Sequence, residues 1–132
     1  MARFEPVVPE AERIVYDEWL ISPAVKVGDF VFCSGALGIK DDGTIPTDPR
    51  EQFEQAFSNL GRLLTEAGAT FEDVFELLTF HIDLAHVEVF NEVKSRLIHE
   101  PHPAWTAIGV AELGGPHRPG LLVEIKATAY VG

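Results

Sequence analysis

His81, Asp83 and His86 are the residues whose types and spacing first suggest chemistry, since two share a strand face and the third opens the next element. Such a set could converge on a cation, but the spacing matches no established ligand signature. With His99 and His102 flanking a helix end and a proline turn, hydrogen-bonding or surface roles fit these histidines better than metal binding. Ser34 is a second candidate, yet no histidine and acid stand at a spacing that would make it a triad nucleophile. Its neighbour Cys33 lies in an apolar strand beside Phe32 and reads as an inert thiol. The glycine-rich fragments "SGALG" and "ELGGP" lack the strand-turn-helix setting and the lysine of phosphate loops. The expectation is no metal and no cofactor.

The elements that position these residues follow from periodicity. "AVKVGDFVFCSGAL" reads as two antiparallel strands around a Gly28-Asp29 turn. From Pro49 to Ala67, Phe53, Ala56, Phe57, Leu60, Leu63, Leu64 and Ala67 recur at helical spacing. Asp48 can cap that helix, Pro49 fits its first position, Glu51 can close a capping box and Gly68 can take the left-handed exit. "TFEDV" reads as a capped turn feeding the strand "FELLTFHIDL". A second helix from Val87 to Ile98, with Phe90, Val93, Leu97 and Ile98 as its stripe, ends at the prolines of "HEPHP". "AWTAIGVAEL" and "GLLVEIKATAYV" form the last strands, the second alternating strictly from Leu121 to Tyr130. The order β-β-α-β-α-β-β implies an α+β fold, a mostly antiparallel sheet with two helices on one face, in a single domain over residues 1–132 whose first 23 residues form an arm and first strand. The sheet's other face, read as carrying Thr79, His81, Glu124 and Lys126, then needs cover from another subunit.

Composition narrows the partners. Ten basic against 21 acidic residues give a formal charge of -11, which repels nucleic acid and anionic membranes and needs no explanation beyond solubility. One cysteine allows no internal disulfide, and no stretch resembles a signal peptide or membrane span, so the expected location is the cytoplasm.

Five segments, "VKVGDFVFCSGALG", "NLGRLLTEAGATFEDV", "FNEVKSRL", "HPAWTAIGVAEL" and "LLVEIKATA", occur in an order and at separations that resemble the Rid, or YjgF, family of reactive-intermediate deaminases over roughly residues 24 to 131. The resemblance implies a chorismate-mutase-like subunit in a homotrimer with three intersubunit clefts for a small metabolite. It also implies hydrolysis of imines or enamines to a keto acid and ammonia. Archetypal members hold the substrate carboxylate with the arginine of a "PAR" motif, where this chain has "PAW" and Trp105, as in the YjgH branch. An indole offers one N–H and no charge, so losing the bidentate pair weakens binding of a small anion by roughly two orders of magnitude. A standard 2-imino acid deaminase is therefore not the expectation.

By the same resemblance Ser34 matches a serine able to hydrogen-bond a ligand, Asn91 matches an asparagine of the second helix, and Glu124 matches the glutamate that orients the hydrolytic water. Ile21 stands where archetypal members have a cleft tyrosine, and Ala36 where they have a glutamine. The expected cleft is lined by Ser34, Asn91, Trp105, Thr106 and Glu124. Trp105 reads either as an aromatic wall or as interface packing, and Glu124 either as a base with a raised pKa or as an ion-pair partner. Arg118, in the inserted "GGPHRPG" loop, is the candidate for returning a cation to the cleft. The alternative to an enzyme is a noncatalytic metabolite-binding or scaffold trimer.

Overall fold

The computed structural model describes residues 3–115 and 118–132; Pro116 and His117, within the "GGPHRPG" insertion, and the first two residues of the arm lie outside them. A seven-stranded sheet is built from β1 (Glu5–Val7), β2 (Ala24–Val27), β3 (Phe30–Cys33), β4 (Ala36–Leu37), β5 (Val74–His81), β6 (Ala104–Gly109) and β7 (Val123–Tyr130). Its order is β1-β2-β3-β7-β5-β6, with β4 also pairing β7. Among the described residues three α-helices accompany it: α1 (Arg13–Trp19), α2 (Pro49–Glu66) and α3 (Val87–Ser95).

The hairpin between β2 and β3 turns at Gly28, whose φ of +58° suits the first central position of a two-residue turn. Helix α2 starts where Asp48 accepts the Glu51 amide at 3.0 Å, and Gly68 leaves the helix end with φ +83°. Phe53, Ala56, Phe57, Leu60 and Leu64 of α2 are fully buried against Val31, Ile125, Ala127 and Ala129 of the sheet. Truncating one of those phenylalanines to alanine would cost about 3–5 kcal/mol.

The arm holds β1, which extends the sheet edge, and a short α1 that buries none of its residues. Two expectations change. The last "FVFCSGAL" run is two strands, not one. Between the pairs Phe32↔Thr128 and Ala36↔Ile125 the β3–β4 side advances four residues while β7 advances three. The extra residue is a bulge centred on Ser34 and Gly35. Finally, Thr79 and His81 do not lie on the open face. They pair with Ile125 and Val123 and are 0 % exposed beneath the helices, because alternation along β5 sends Glu76, Leu78 and Phe80 to the other side.

The sheet is mostly antiparallel, with β5 and β6 parallel because α3 carries the chain across between them. Its open face bears an aromatic cluster: Phe30 lies 5.1 Å from Tyr130, 6.1 Å from Phe75 and 6.3 Å from Phe32 between ring centroids. All four rings are exposed, Phe30 at 41 % and Tyr130 at 47 %.

Candidate functional site

Glu124 is the chemical centre of the open face. It follows Val123 at the start of β7, opposite Leu37 on one side and Phe80 on the other. Two side chains of the helix layer, Gln52 buried and Asn59 half-buried, hold this ladder in register. Gln52 donates to the carbonyls of Pro46 at 3.0 Å and Gly120 at 2.9 Å, and accepts the Leu122 amide at 2.6 Å, two residues before Glu124. Asn59 donates to the carbonyls of Leu37 and Ile39, both at 2.8 Å, fixing β4.

The bulge brings backbone to the carboxyl group. A Cβ on Gly35 would lie 2.4 Å from Cδ of Glu124 and 2.5 Å from its Oε1, so only glycine admits the side chain there. Burial pushes the Glu124 carboxyl above its ordinary range, and no opposite charge counters it among the described residues. Lys126, on the same face, donates to the Cys33 carbonyl at 3.0 Å. Ser34 donates its hydroxyl to the Ser22 carbonyl at 2.8 Å, leaving oxygen lone pairs to accept from a ligand. The Cys33 thiol beside it is pushed up to about 12, chiefly by burial, which makes it a poor nucleophile.

Thr106 shares the open face, opposite Leu78, and is exposed. Trp105 does not share it. Its side chain turns under the helix layer, where its ring lies 5.6 Å from that of Phe90 and its indole N–H donates to Thr79 Oγ1 at 2.9 Å. Thr79 in turn stands 2.8 Å from His81 Nε2. Because the indole can only donate, the economical assignment has the Thr79 hydroxyl donating to His81 Nε2, so that Nδ1 carries the imidazole proton. That Nδ1 is buried without a partner among the described residues, and burial, then His86, lowers the His81 pKa. His81 is thus a neutral core histidine. Asp83 caps the following turn by accepting the Ala85 amide at 2.9 Å. Among the described residues no cluster of three ligating side chains could hold a metal.

Asn91 is exposed on α3 and Arg118 is exposed in its loop; neither is brought to Glu124 in the single subunit. Sequence reasoning missed Gly35, Gln52, Asn59 and Lys94. Gln52 was legible as a polar residue four before Ala56 on the α2 stripe, and Lys94 as one four after Phe90 on the α3 stripe. Lys94 Nζ stands 4.7 Å from the centroid of the Trp105 ring, a cation–π contact of about 0.5–2 kcal/mol.

The grooves beside α2, one of them shared with α3, lie on the helix layer, and Glu124 lines neither. The class defined by these features is a two-layer α+β subunit whose uncovered sheet face presents a shielded carboxylate over a glycine bulge. Comparison with known proteins agrees with the fold. The family model described as "Endoribonuclease L-PSP" matches residues 18–131, and the chain belongs to that family, also known as the Rid or YjgF family. It is 38 % identical to the RutC family protein YjgH of Escherichia coli over 111 residues, 83 % of this chain and 85 % of that one. A solved structure titled Protein YjgH superposes with a TM-score of 0.85 at 35 % identity, covering 98 % of each chain. The 2-iminobutanoate/2-iminopropanoate deaminase of Dermatophagoides farinae is 31 % identical over 83 % of this chain and 84 % of its own. Among the described residues no helix is long and apolar enough to cross a membrane.

Proposed function

We propose that this protein is a homotrimer whose subunits join through the open sheet face, and that three intersubunit clefts hydrolyse a small imine or enamine. The observation that carries the reading is Glu124, half-buried on Gly35 with a raised pKa and no charge partner among the described residues. Trp105 and Glu124 point to opposite faces of one sheet, so a cleft containing both takes them from two copies. Ser34, Asn91 and Thr106 complete the lining, and Arg118 reaches it from its loop. Exposed aromatic rings on the open face support burial against another subunit.

In the reaction, the oxygen of water bonds to the imine carbon as Glu124 takes a proton from that water. The nitrogen gains that proton to give a carbinolamine, then gains the proton of the new hydroxyl group as the C–N bond breaks, so that ammonia leaves and the hydroxyl oxygen becomes the carbonyl of the product. A carboxyl group with a raised pKa suits both taking and returning the proton near neutrality. One relative is named for this activity on short 2-imino acids, which supports the substrate class. Trp105 in place of a cation distinguishes this cleft from the archetype and shifts its preference away from the standard 2-imino acids. The charge of -11 argues against RNA as a substrate, and a small metabolite in the cytoplasm is the partner that fits.

The test generates 2-imino acids in place with an amino-acid oxidase and compares their hydrolysis by wild type and Glu124→Gln, with particle mass measured by sedimentation. Trimeric wild type that accelerates hydrolysis, with a loss of about a hundredfold or more in Glu124→Gln, supports the reading. Ligand binding by a trimer with no acceleration of any imine would favour the noncatalytic metabolite-binding alternative.

A further inference from the structure

The strand register lays an apolar row across the open face at the level of the carboxyl group. Glu124 of β7 stands opposite Leu37 of β4 on one side and Phe80 of β5 on the other, and Phe80 stands opposite Ile108 of β6. Paired residues on neighbouring strands share a face, so the row runs Leu37, Glu124, Phe80, Ile108 on the side away from the helices. Leu37 and Phe80 are half-buried, and Ile108 is 40 % exposed. With neighbouring strands about 4.8 Å apart, Ile108 stands roughly 10 Å from Glu124 with Phe80 between them. The row itself holds no cation. Lys126, two residues along β7 on this face, reaches instead to the Cys33 carbonyl of β3 at 3.0 Å, on the side of β7 away from Phe80.

Whatever covers this row has to leave room at Glu124. An apolar surface of another subunit laid directly on it would seal in a carboxyl group that has no opposite charge among the described residues, which is strongly unfavourable. A small ligand with one polar end and one apolar end fits without that penalty. We infer that Phe80 and Ile108 form a specificity site for an aromatic ring, and that the ligand is an arylalkyl aldimine, R–CH=NH, with R about the size of a benzyl group and no carboxyl group. The inference rests on the imine-hydrolysing cleft proposed above. The imine carbon lies at Glu124, and the ring extends over Phe80 toward Ile108, where an aromatic and a branched side chain offer it offset stacking and apolar contact. A row with a carboxyl group and no cation, in a chain of charge -11, repels a ligand carboxylate and attracts a protonated imine. The step balances with water alone: R–CH=NH and H2O give R–CHO and NH3.

Four imines separate the ring from the carboxyl group. Those of 2-phenylethylamine and ethylamine are made in place by an amine oxidase, those of phenylalanine and alanine by an amino-acid oxidase, and semicarbazide traps what is not hydrolysed. Wild type should hydrolyse the 2-phenylethylamine imine with kcat/KM at least about tenfold above the ethylamine imine, and a carboxyl group should bring no gain. Ile108→Ala should cut the preference for the ring to below about threefold, and Ile108→Leu should restore it. Circular dichroism and sedimentation check that both variants fold and assemble as wild type does. A ring preference that survives in Ile108→Ala, a wild type indifferent to the ring, or a gain of about tenfold from the carboxyl group overturns the inference and leaves hydrolysis at Glu124 intact. A wild type that accelerates none of the four imines overturns the catalytic reading, and calorimetry then decides the ring site on its own. Binding of 2-phenylacetamide at least about tenfold more tightly than acetamide supports it, and equal affinities overturn it.

Discussion

Glu124 and His81 lie on neighbouring strands within one residue of each other in register, His81 opposite Val123 and Glu124 opposite Phe80, yet they do opposite things. His81 points under the helices, is 0 % exposed, and joins a hydrogen-bonded chain from Trp105 through Thr79, while burial favours its neutral form. Glu124 points to the uncovered face and is shielded only in part, by a bulge that lays Gly35 against its carboxyl group. Both pKa values shift toward the uncharged form because both groups lose water. What separates them is access. A strand's two-residue alternation sends one titratable group into the core, where it specifies packing, and the next to an open surface, where a ligand can meet it.

The contrast can be broken from the open side first. Phe30→Asp puts a charge in the middle of the exposed aromatic cluster while leaving the helix-side core untouched. We expect a folded monomer by sedimentation and no detectable hydrolysis; an intact trimer would mean that another surface joins the subunits. Gly35→Ala should come next. Its Cβ cannot coexist with the present Glu124 side chain, so hydrolysis should fall by about a hundredfold or more while stability falls by about 1–3 kcal/mol. Unchanged kcat in that variant would show that the placement of Glu124 does not matter.

On the closed side, Thr79→Val removes the acceptor of the Trp105 indole and the partner of His81 together. Denaturant unfolding should record a loss of about 1–3 kcal/mol, which Thr79→Ser largely recovers. The smallest effects are in pH dependence, and their signs are opposite. A carboxyl whose folded pKa is raised above 4.5 binds more protons folded than unfolded, so its contribution to stability is lost as pH rises through the raised value. Glu124→Gln should therefore gain thermal stability relative to wild type as pH climbs above that window. A histidine with its pKa lowered from 6.5 binds fewer protons folded, so wild type loses stability as pH drops below 6.5, and His81→Gln should flatten that slope. Parallel profiles for both variants would show that neither group is desolvated in solution.

Much of this was legible residue by residue. The α2 stripe, the Asp48 cap and the Gly68 exit are local signals, and the structure reproduces them within a residue. The alternation of β7 placed Glu124 opposite the buried Val123, Ile125 and Ala127. Less legible was β5, where a bulge near Val74 and mixed Leu, Thr and Phe content hid which side faces the helices. The second bulge at Ser34 and Gly35 was equally silent, since an extra residue shows only when the partner strand is counted beside it.

The sequence by itself determined the family and the two-layer α+β class, and it singled out Glu124 as a candidate, because those depend on local periodicity and on motifs in order. Only the tertiary structure decided that Trp105 turns under α3 while Glu124 does not, and that Lys94 comes to rest on the indole. Those outcomes depend on strand register and on helix packing across the edge of the sheet, which bring together residues that no spacing along the chain marks as neighbours.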